Sequence, residues 1–415
     1  MNVPYFRPSI GQAEIEEVVS VLQSGWLTTG PVVKRFEAAF AAAVGARHAV
    51  AVNSAPAALH LALEALGVRP GDGVLVPTMT FAATAEVVRY LGAIPVLVDC
   101  DPMTMNVDLD GVDRTMRDLR AGRLPAAVPP DLRVVGFMPV HVGGLMLDID
   151  AVQATAARHG LWLVEDAAHA FSAAWRRGAA DAWVPCGART AAVSCYSFYA
   201  NKTITTGEGG MAVTDDDRVA SRMRLMSLHG LSHDAWDRYS GGSSWDYRIV
   251  APGFKYNLTD IAAAIGVHQV VAAQEMRAQR TRVAARYRSA LAAVDEIELP
   301  PDPANRLHAW HLFPIRLRLD ALTIDRSAFV EALHAAGIGC SVHWRPLHLH
   351  PYYQETFGWS GEHCPIATRE WLRLVSLPIF PSMRDDEIAA VVSAVADICR
   401  NHRTGRIVRP AAAVR

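Results

Sequence analysis

The chain has 415 residues, of which 51% are hydrophobic and 20% are charged, and its formal net charge is -2. This composition predicts a globular protein large enough for one large domain and one smaller domain. The near-neutral charge argues against nucleic acid or an anionic membrane surface as its main partner. No apolar stretch is long enough to cross a membrane, so no membrane partner is expected.

The first ten residues, MNVPYFRPSI, lack the pattern of a signal peptide. The six cysteines are scattered along the chain without a C-x-x-C pair. We therefore expect reduced thiols and a cytoplasmic location. The stretch SVHWRPLHLHPYY contains three histidines but no acidic or cysteine residue, so no metal site is predicted.

Residues 1–30 are predicted to form an N-terminal arm with one helix, Gln12–Gln23, that ends at Ser24-Gly25. In residues 31–257 short apolar strands alternate with helices, which predicts a large α/β domain with a mostly parallel central sheet. The predicted helices are Val32–Val44, APAALHLALEALG, TFAATAEVVRYLG and Asp148–His159. The predicted strands are RHAVAVNS, GVLVP, IPVLVDCD, VVGFMPVHVGG, LWLVEDAAHA, AAVSCYSF and GGMAVTD.

The second half of the chain is predicted to contain a loop, a long helix and a smaller domain. Residues 231–253 are irregular and contain glycine and aromatic residues, which is typical of a substrate loop or a mobile flap. Residues 258–294 predict one helix that bridges two domains, and residues 295–400 predict a small α+β domain. The predicted elements of that domain are strand HLFPIRLRL, helix Arg326–Ala336, strand GIGCSVHW and helix Asp385–Arg400. Residues 401–415 form a basic, alanine-rich tail that is predicted to fray.

Polar residues follow the predicted strands, where open α/β sheets bind their ligands. Lys202 comes after the strand that contains Ser197 and before the glycine-rich turn GEGG. The chain has only three lysines; Lys34 lies in a polar helix and Lys255 follows a Pro-Gly turn. An enzyme that forms a Schiff base needs a lysine, because arginine cannot lose its proton to become a nucleophile. Lys202 is therefore the candidate nucleophile, although a surface loop lysine fits the local sequence equally well.

Other residues after the strands suit a pyridoxal phosphate site. Asp166 ends the strand LWLVED, and a buried carboxylate there could keep the ring nitrogen of the cofactor protonated, although such an acid more often caps a turn. His169 could contact the ring and Phe81 could cover one face of it, but a loop histidine and a core phenylalanine need no cofactor. For the phosphate, Ser54 opens a helix whose free N–H groups bind anions, and Ser197 adds a hydroxyl. Each residue alone is weak evidence, whereas the whole set is specific.

Six motifs resemble, in order and spacing, those of the DegT-type aminotransferases of nucleotide-sugar biosynthesis. They read SGWLTTGP, GDGVLVPTMTFAAT, EDAAHA, SFYANKTITTGEGGMAVTD, KYNLTDIAAAIG and VHWRPLHLHPYY. The resemblance runs from about Pro4 to Cys399. It implies the fold type I architecture of aspartate aminotransferase, pyridoxal phosphate as the cofactor, and a homodimer with shared active sites.

The resemblance also implies a role for each site residue. The residues that it assigns to the cofactor are Ser54, Ala55, Ala57, Phe81, Asp166, His169, Ser197, Lys202 and Asn257. Lys202 would form the Schiff base and Asp166 would pair with the ring nitrogen. Asn257 would reach the phosphate in the neighbouring subunit. His229 and His343 would contact the nucleotide sugar.

The stretches HGLSHDAWDR and PGFKYNLTDI are most similar to the enzymes that aminate UDP-4-keto-L-arabinose. This implies transfer of an amino group, with glutamate as the donor, to C4 of a keto sugar nucleotide. Two alternatives stay open: a cyclitol (scyllo-inosose-type) aminotransferase of aminoglycoside pathways, and a regulator that binds the cofactor without turnover.

One position departs from the family. Pro56 stands where a threonine is usual, and proline offers a phosphate neither a hydroxyl nor an N–H. This departure gives slight support to the regulator. Lys202 and Asp166 weigh against it, and Lys202 also argues against the related dehydrases, which carry histidine in its place.

Overall fold

The computed structural model describes residues 1–187, 189–231 and 248–404. Most of the predicted loop at residues 231–253 and most of the tail therefore lie outside the described residues. The helices are α1 (Gln12–Ser24), α2 (Pro31–Val44), α3 (Ala55–Ala65), α4 (Ala83–Tyr90), α5 (Leu109–Arg120), α6 (Ile149–His159), α7 (Asp217–Ser227), α8 (Asp260–Leu291), α9 (Arg326–Ala335), α10 (Pro351–Phe357), α11 (Pro365–Trp371) and α12 (Asp385–Asn401).

The strands are β1 (His48–Val52), β2 (Gly73–Pro77), β3 (Ile94–Val98), β4 (Val134–Phe137), β5 (Trp162–Asp166), β6 (Ala174–Trp175), β7 (Val184–Pro185), β8 (Val193–Ser197), β9 (Gly210–Thr214), β10 (Ile297–Glu298), β11 (Arg306–Leu307), β12 (Phe313–Leu317) and β13 (Leu374–Leu377). Seven of them form one sheet in the order β1-β9-β8-β5-β4-β2-β3. Only β9 runs against its neighbours; the other neighbouring pairs are parallel. The predicted α/β class with a mostly parallel central sheet is confirmed.

The central sheet is covered on both faces, which explains its sequence pattern. All five residues of β2, and all five of β9, are buried. Strands buried on both sides read as continuous apolar runs, because neither face meets water. The strand ends are then the places where polar side chains gather.

A close approach between β9 and α3 brings two of these strand ends together. Ser54 caps α3, and its side chain accepts a hydrogen bond from the N–H of Ala57. Gly210, the first residue of β9, lies so near this cap that a Cβ there would be 2.4 Å from the backbone of Ser54. A larger residue would therefore push the turn before α3 away from the loop that carries Lys202.

The long helix α8 has 32 residues and connects two hydrophobic cores. Its first half packs with α2 and one face of the central sheet through residues such as Ala263. Its second half contributes Tyr287 and Leu291 to a second core around the antiparallel sheet β10-β12-β13. The predicted bridging helix therefore forms, three residues shorter at its C-terminal end than the range 258–294 and two at its start.

The prediction of a strand at GIGCSVHW was wrong. Ile338 pairs only with Val3 of the arm, and Ser341 only with Ser376 of β13. The arm crosses this segment closely, since a Cβ at Gly339 would lie 2.5 Å from the nitrogen of Tyr5. The segment thus forms one isolated backbone bridge on each side, which is too little for a strand. His343 and Trp344 lie at its C-terminal end.

The helices α5, α7, α10 and α11 were not predicted, and α10 changes the picture of the small domain. Tyr353 and Phe357 of α10 belong to the same hydrophobic core as strands β2 to β5. Part of the range 295–400 thus packs on the large domain; the domain boundaries themselves stay predictions. None of the helices in the described ranges is long and apolar enough to cross a membrane.

Candidate active site

A cavity of about 510 Å³ opens where strands β5 and β8 end. Eight predicted site residues line it: Ser54, Ala55, Phe81, Asp166, His169, Ser197, Lys202 and His343. They come from distant parts of the chain, and the parallel sheet brings them to one edge. Ala57, His229 and Asn257 do not line this cavity.

Lys202 lies in the loop between β8 and β9, and α8 holds this loop from behind. Arg280 donates to the carbonyl of Thr203 at 3.2 Å, and the Gln269 side chain accepts the N–H of Thr205 at 3.3 Å. Burial lowers the pKa of Lys202 to about 8, while the charge of Asp166 opposes this shift. The amine is thus deprotonated far more readily than that of an ordinary lysine.

Asp166 is buried, with 6% of its surface exposed, and both carboxylate oxygens are bound. Oδ2 accepts a hydrogen bond of 2.7 Å from the hydroxyl of Thr84, and Oδ1 accepts one of 3.1 Å from the N–H of Ala168. The hydroxyl of Thr84 has a single proton, and it donates that proton to the carboxylate of Asp166. In the hydrogen bond of 2.7 Å between the hydroxyls of Thr80 and Thr84, Thr80 is therefore the donor and Thr84 the acceptor. This chain of hydroxyls fixes the carboxylate and leaves it further acceptor capacity.

The start of α3 offers fewer free N–H groups than most helices. The N–H of Ala57 donates to the Ser54 side chain at 3.2 Å, and Pro56 has no N–H. The N–H of Ala55 remains for an anion, whereas the hydroxyl of Ser54 donates a long hydrogen bond of 3.4 Å to the side chain of Asn53 and would turn from it to reach the anion. Ser197 also lines the cavity, and its hydroxyl oxygen accepts the N–H of Tyr199 at 3.4 Å.

Asn257 and His229 lie away from the cavity within one chain. The Asn257 side chain donates to the hydroxyl of Thr29 at 2.7 Å and accepts from Lys255. His229 is exposed, and its N–H donates to the carbonyl of Phe254 at 2.7 Å. The predicted role of Asn257 in a neighbouring subunit, and the substrate role of His229, remain predictions.

Three histidines line the cavity and all are uncharged at neutral pH. Burial, reinforced by the charge of Lys202, lowers the pKa of His169 and of His311 well below the usual value. The same causes lower the pKa of His343 to about 4. His169 and His343 were predicted from the sequence, whereas His311 was not.

Sequence reasoning assigned no individual role to several residues that border the cavity or support it. They are Thr80, Thr84, Tyr199, Asn201, Glu208, His311 and Trp344. Thr80 and Thr84 stand in the motif GDGVLVPTMTFAAT, where their place after a strand was the available signal. No sequence pattern marked His311 as a site residue. It reaches the cavity because its segment packs against Gly143, whose carbonyl accepts the N–H of His311 at 3.0 Å.

The donor set fits pyridoxal phosphate. Lys202 is a partly buried amine with a lowered pKa, and Asp166 is a buried carboxylate that can face a protonated ring nitrogen. Ser54, Ala55 and Ser197 supply hydroxyl and N–H donors for a phosphate at a helix start. The cavity is also large enough for a cofactor and part of a substrate.

A second group of polar residues does not suit a metal ion. His141, Glu165 and Cys186 are buried, with their ligand-type atoms within 4.8 Å of one another. Nδ1 of His141 accepts the N–H of Leu147, so the proton of the imidazole lies on Nε2, which faces Glu165. Burial raises the pKa of Cys186 well above its usual value and keeps it a thiol. A metal ion here would have to displace both the Nε2 proton and the thiol proton, which makes this group a poor metal site.

Comparison with known proteins agrees with this geometry. The profile of the DegT/DnrJ/EryC1/StrS aminotransferase family matches residues 8–396. The spore coat polysaccharide biosynthesis protein SpsC of Bacillus subtilis is 43% identical over 399 residues, which cover 96% of this chain and 97% of SpsC.

Two solved structures have the same architecture. Spr1654 of Streptococcus pneumoniae, in its PMP form, has a TM-score of 0.84 at 28% identity and covers 97% of this chain and 98% of its own. CalS13 of Micromonospora echinospora, described as a sugar aminotransferase, has a TM-score of 0.80 at 29% identity, over 95% of this chain and 99% of its own. The expected fold type I architecture is confirmed, and the chain belongs to the DegT/DnrJ/EryC1/StrS aminotransferase family.

Proposed function

We propose that this protein is a pyridoxal-phosphate-dependent aminotransferase that moves an amino group from L-glutamate to C4 of a nucleotide-linked keto sugar. Family membership and the likeness to CalS13 support transamination of a sugar. Spr1654 was solved in PLP and PMP forms, which supports the same cofactor here. The observation that carries the proposal is a single cavity lined by Lys202, with its lowered pKa, and the buried carboxylate of Asp166.

Pyridoxal phosphate, when bound, supplies an electron sink for the carbon that carries the amino group. Asp166 would hold a proton on the ring nitrogen and so keep that sink effective. Ser54, Ala55 and Ser197 bind the phosphate. Phe81, of which 62% is exposed, borders the cavity and offers its ring face to the cofactor.

Lys202 has two tasks in this proposal. It would hold the cofactor covalently in the resting enzyme, and as a free amine it would move the proton at the substrate carbon. The pKa of about 8 suits both tasks, because the amine is present in both protonation states near neutral pH. Arg280 and Gln269 hold the loop so that the amine stays in the cavity.

The finer parts of the proposal rest on the sequence motifs. Glutamate as the donor and C4 as the acceptor carbon follow from the stretches HGLSHDAWDR and PGFKYNLTDI, and residues 232–238 of the first stretch lie outside the described ranges. The homodimer follows from the motif of Asn257. Because Asn257 does not line the cavity of its own chain, its proposed partner is the phosphate site of a second copy.

A panel of acceptors tests the function. The protein, loaded with cofactor, is given labelled L-glutamate together with 4-keto sugar nucleotides, 3-keto sugar nucleotides or scyllo-inosose. Label transferred to a 4-keto sugar nucleotide supports the proposal. Transfer to scyllo-inosose alone would establish the cyclitol enzyme instead, and failure of every amino donor to change the cofactor absorption would indicate a regulator without turnover.

A further inference from the structure

A row of aromatic rings forms one wall of the cavity. The ring of His311 lies 4.1 Å from that of His169, measured between centroids. His169 stacks on Trp344 at 5.2 Å with an angle of 19° between the planes, and Trp344 meets the edge of His343 at 5.8 Å. All four residues line the cavity.

This wall is uncharged at neutral pH. Burial lowers the pKa of each of the three histidines, so their imidazoles do not carry the positive charge that would attract a carboxylate or a phosphate. A neutral imidazole both donates and accepts hydrogen bonds, as a hydroxyl does. Among the described residues that line the cavity, Lys202 alone carries a lysine or arginine side chain. The wall therefore suits a neutral ligand rich in hydroxyl groups, in contrast to the anion site at Ser54.

Within this wall His311 has the greatest unused capacity for hydrogen bonds. Nδ1 of His169 accepts the N–H of Gly143 at 3.2 Å, and Nδ1 of His343 lies 2.9 Å from the hydroxyl of Ser376. Neither ring nitrogen of His311 is hydrogen-bonded to another residue in the described ranges, and 7% of the residue is exposed. Its backbone is nevertheless fixed, since its N–H donates to the carbonyl of Gly143. A well-placed polar ring without a protein partner points to a ligand.

We infer that His311 determines specificity by hydrogen bonding a hydroxyl of the acceptor sugar, which lies against the rings of His311, His343 and Trp344, beside the cofactor residue His169. This inference rests on the proposed function and adds a residue to it. The indole and imidazole rings contact the apolar face of the sugar, and the ring nitrogens of His311 meet its hydroxyl groups. The nucleotide makes its contacts elsewhere.

Two substitutions at His311 separate hydrogen bonding from packing. His311→Phe keeps a ring against His169 but removes both nitrogens, whereas His311→Gln keeps a donor and an acceptor. The probes are UDP-N-acetylglucosamine and dTDP-glucose, which lack the reactive ketone, and UDP and dTDP alone. Their dissociation constants are measured by calorimetry on the cofactor-loaded protein. His308→Phe is the matched control, because His308 is buried against Trp310 and does not line the cavity.

We expect His311→Phe to weaken the binding of whichever nucleotide sugar the wild type binds by about tenfold, the value of one lost hydrogen bond. His311→Gln should change that binding by less than about threefold, and neither variant should alter the binding of the free nucleotide. In single-turnover kinetics the reaction with L-glutamate should keep its rate within about twofold, whereas the reaction with the keto sugar nucleotide slows about tenfold. If His311→Phe does not fold, His311→Met removes the same nitrogens and takes its place.

The outcomes distinguish the inference from the function on which it rests. If the wild type aminates a keto sugar nucleotide but His311→Phe binds the nucleotide sugar with unchanged affinity, the inference alone is overturned. Equal losses in both half-reactions, or weaker nucleotide binding, would show that His311 supports the fold and would also overturn it. If the wild type aminates no keto sugar nucleotide, both the proposed function and the inference are overturned.

Discussion

The hydroxyl of Thr84 donates a hydrogen bond of 2.7 Å to Oδ2 of Asp166 and accepts one from Thr80 behind it. All three residues are buried. The carboxylate that is proposed to face the cofactor ring is therefore set by two hydroxyls from another part of the chain. Its orientation depends on α4 as much as on the strand that carries it.

Thr84→Val tests this arrangement. Valine keeps the shape of threonine but leaves Oδ2 without its buried donor, an effect of about 1–3 kcal/mol. We expect kcat to fall about tenfold and the pH at which the cofactor absorption changes to shift, while Thr84→Ser restores both. Thr80→Val should have a smaller effect, because Thr80 acts through Thr84. A valine variant that differs from wild type only in melting temperature would show that the hydroxyl is structural.

The lowered pKa of Lys202 predicts how cofactor capture depends on pH. Only the neutral amine attacks the aldehyde, and burial lowers the pKa of Lys202 from 10.5 to about 8. Below this value the amine is protonated and unreactive, so the rate at which the cofactor-free protein captures pyridoxal phosphate should rise about tenfold from about pH 7 to about pH 9 and then level off. Stopped-flow absorbance measures this rate, with Lys202→Ala as the control that forms no covalent link. A rise that continues past about pH 10 would indicate an exposed lysine.

Pro56→Thr should tighten cofactor binding. In the structure the N–H of Ala57 is occupied by Ser54 and Pro56 has none, so threonine would return one N–H and one hydroxyl to the phosphate site. A hydrogen bond to a charged group contributes about 1.5–3 kcal/mol, partly offset by displaced water and by the greater freedom of threonine in the unfolded chain. We expect a net gain of about 1 kcal/mol, or roughly fivefold in affinity. Titration of the cofactor-free proteins measures it, and unchanged or weaker binding would show that the other donors already satisfy the phosphate.

A mixing experiment tests the shared active site. Asn257 bonds Thr29 and Lys255 in its own chain and does not line that chain's cavity. If it serves the partner's site, then Lys202→Ala chains mixed with Asn257→Ala chains should regain activity, because one site of the mixed dimer carries neither change. Activity after mixing is compared with that of each variant alone. No recovery after confirmed subunit exchange, or an active monomer in sedimentation, would contradict shared sites.

The sequence predicted the central sheet and eight of the residues that line the cavity, and the reasons are local. Strands such as GVLVP are apolar throughout because both faces are covered, and the residues after them are the ones that meet at the sheet edge. Lys202 and Asp166 could therefore be found from their places after β8 and at the end of β5.

What the sequence did not reveal depends on contacts between distant segments. The strand expected at GIGCSVHW failed because its partners, Val3 and Ser376, each offer a single pairing. His311 borders the cavity only because Gly143 receives its backbone. Thr84 supports Asp166 across 82 residues of chain, a pairing that no local pattern encodes.

The role of Lys202 is tested most directly by steady-state amination of a keto sugar nucleotide by Lys202→Ala, beside wild type and with both proteins saturated with pyridoxal phosphate. Loss of the amine removes both the covalent link and the proton carrier, whereas the loop stays anchored by Arg280 and Gln269. We predict a folded variant, with a melting temperature close to that of wild type, and no detectable amino sugar. Amination of the sugar by the folded variant at a rate comparable to that of wild type would contradict the assignment of Lys202 as the catalytic residue.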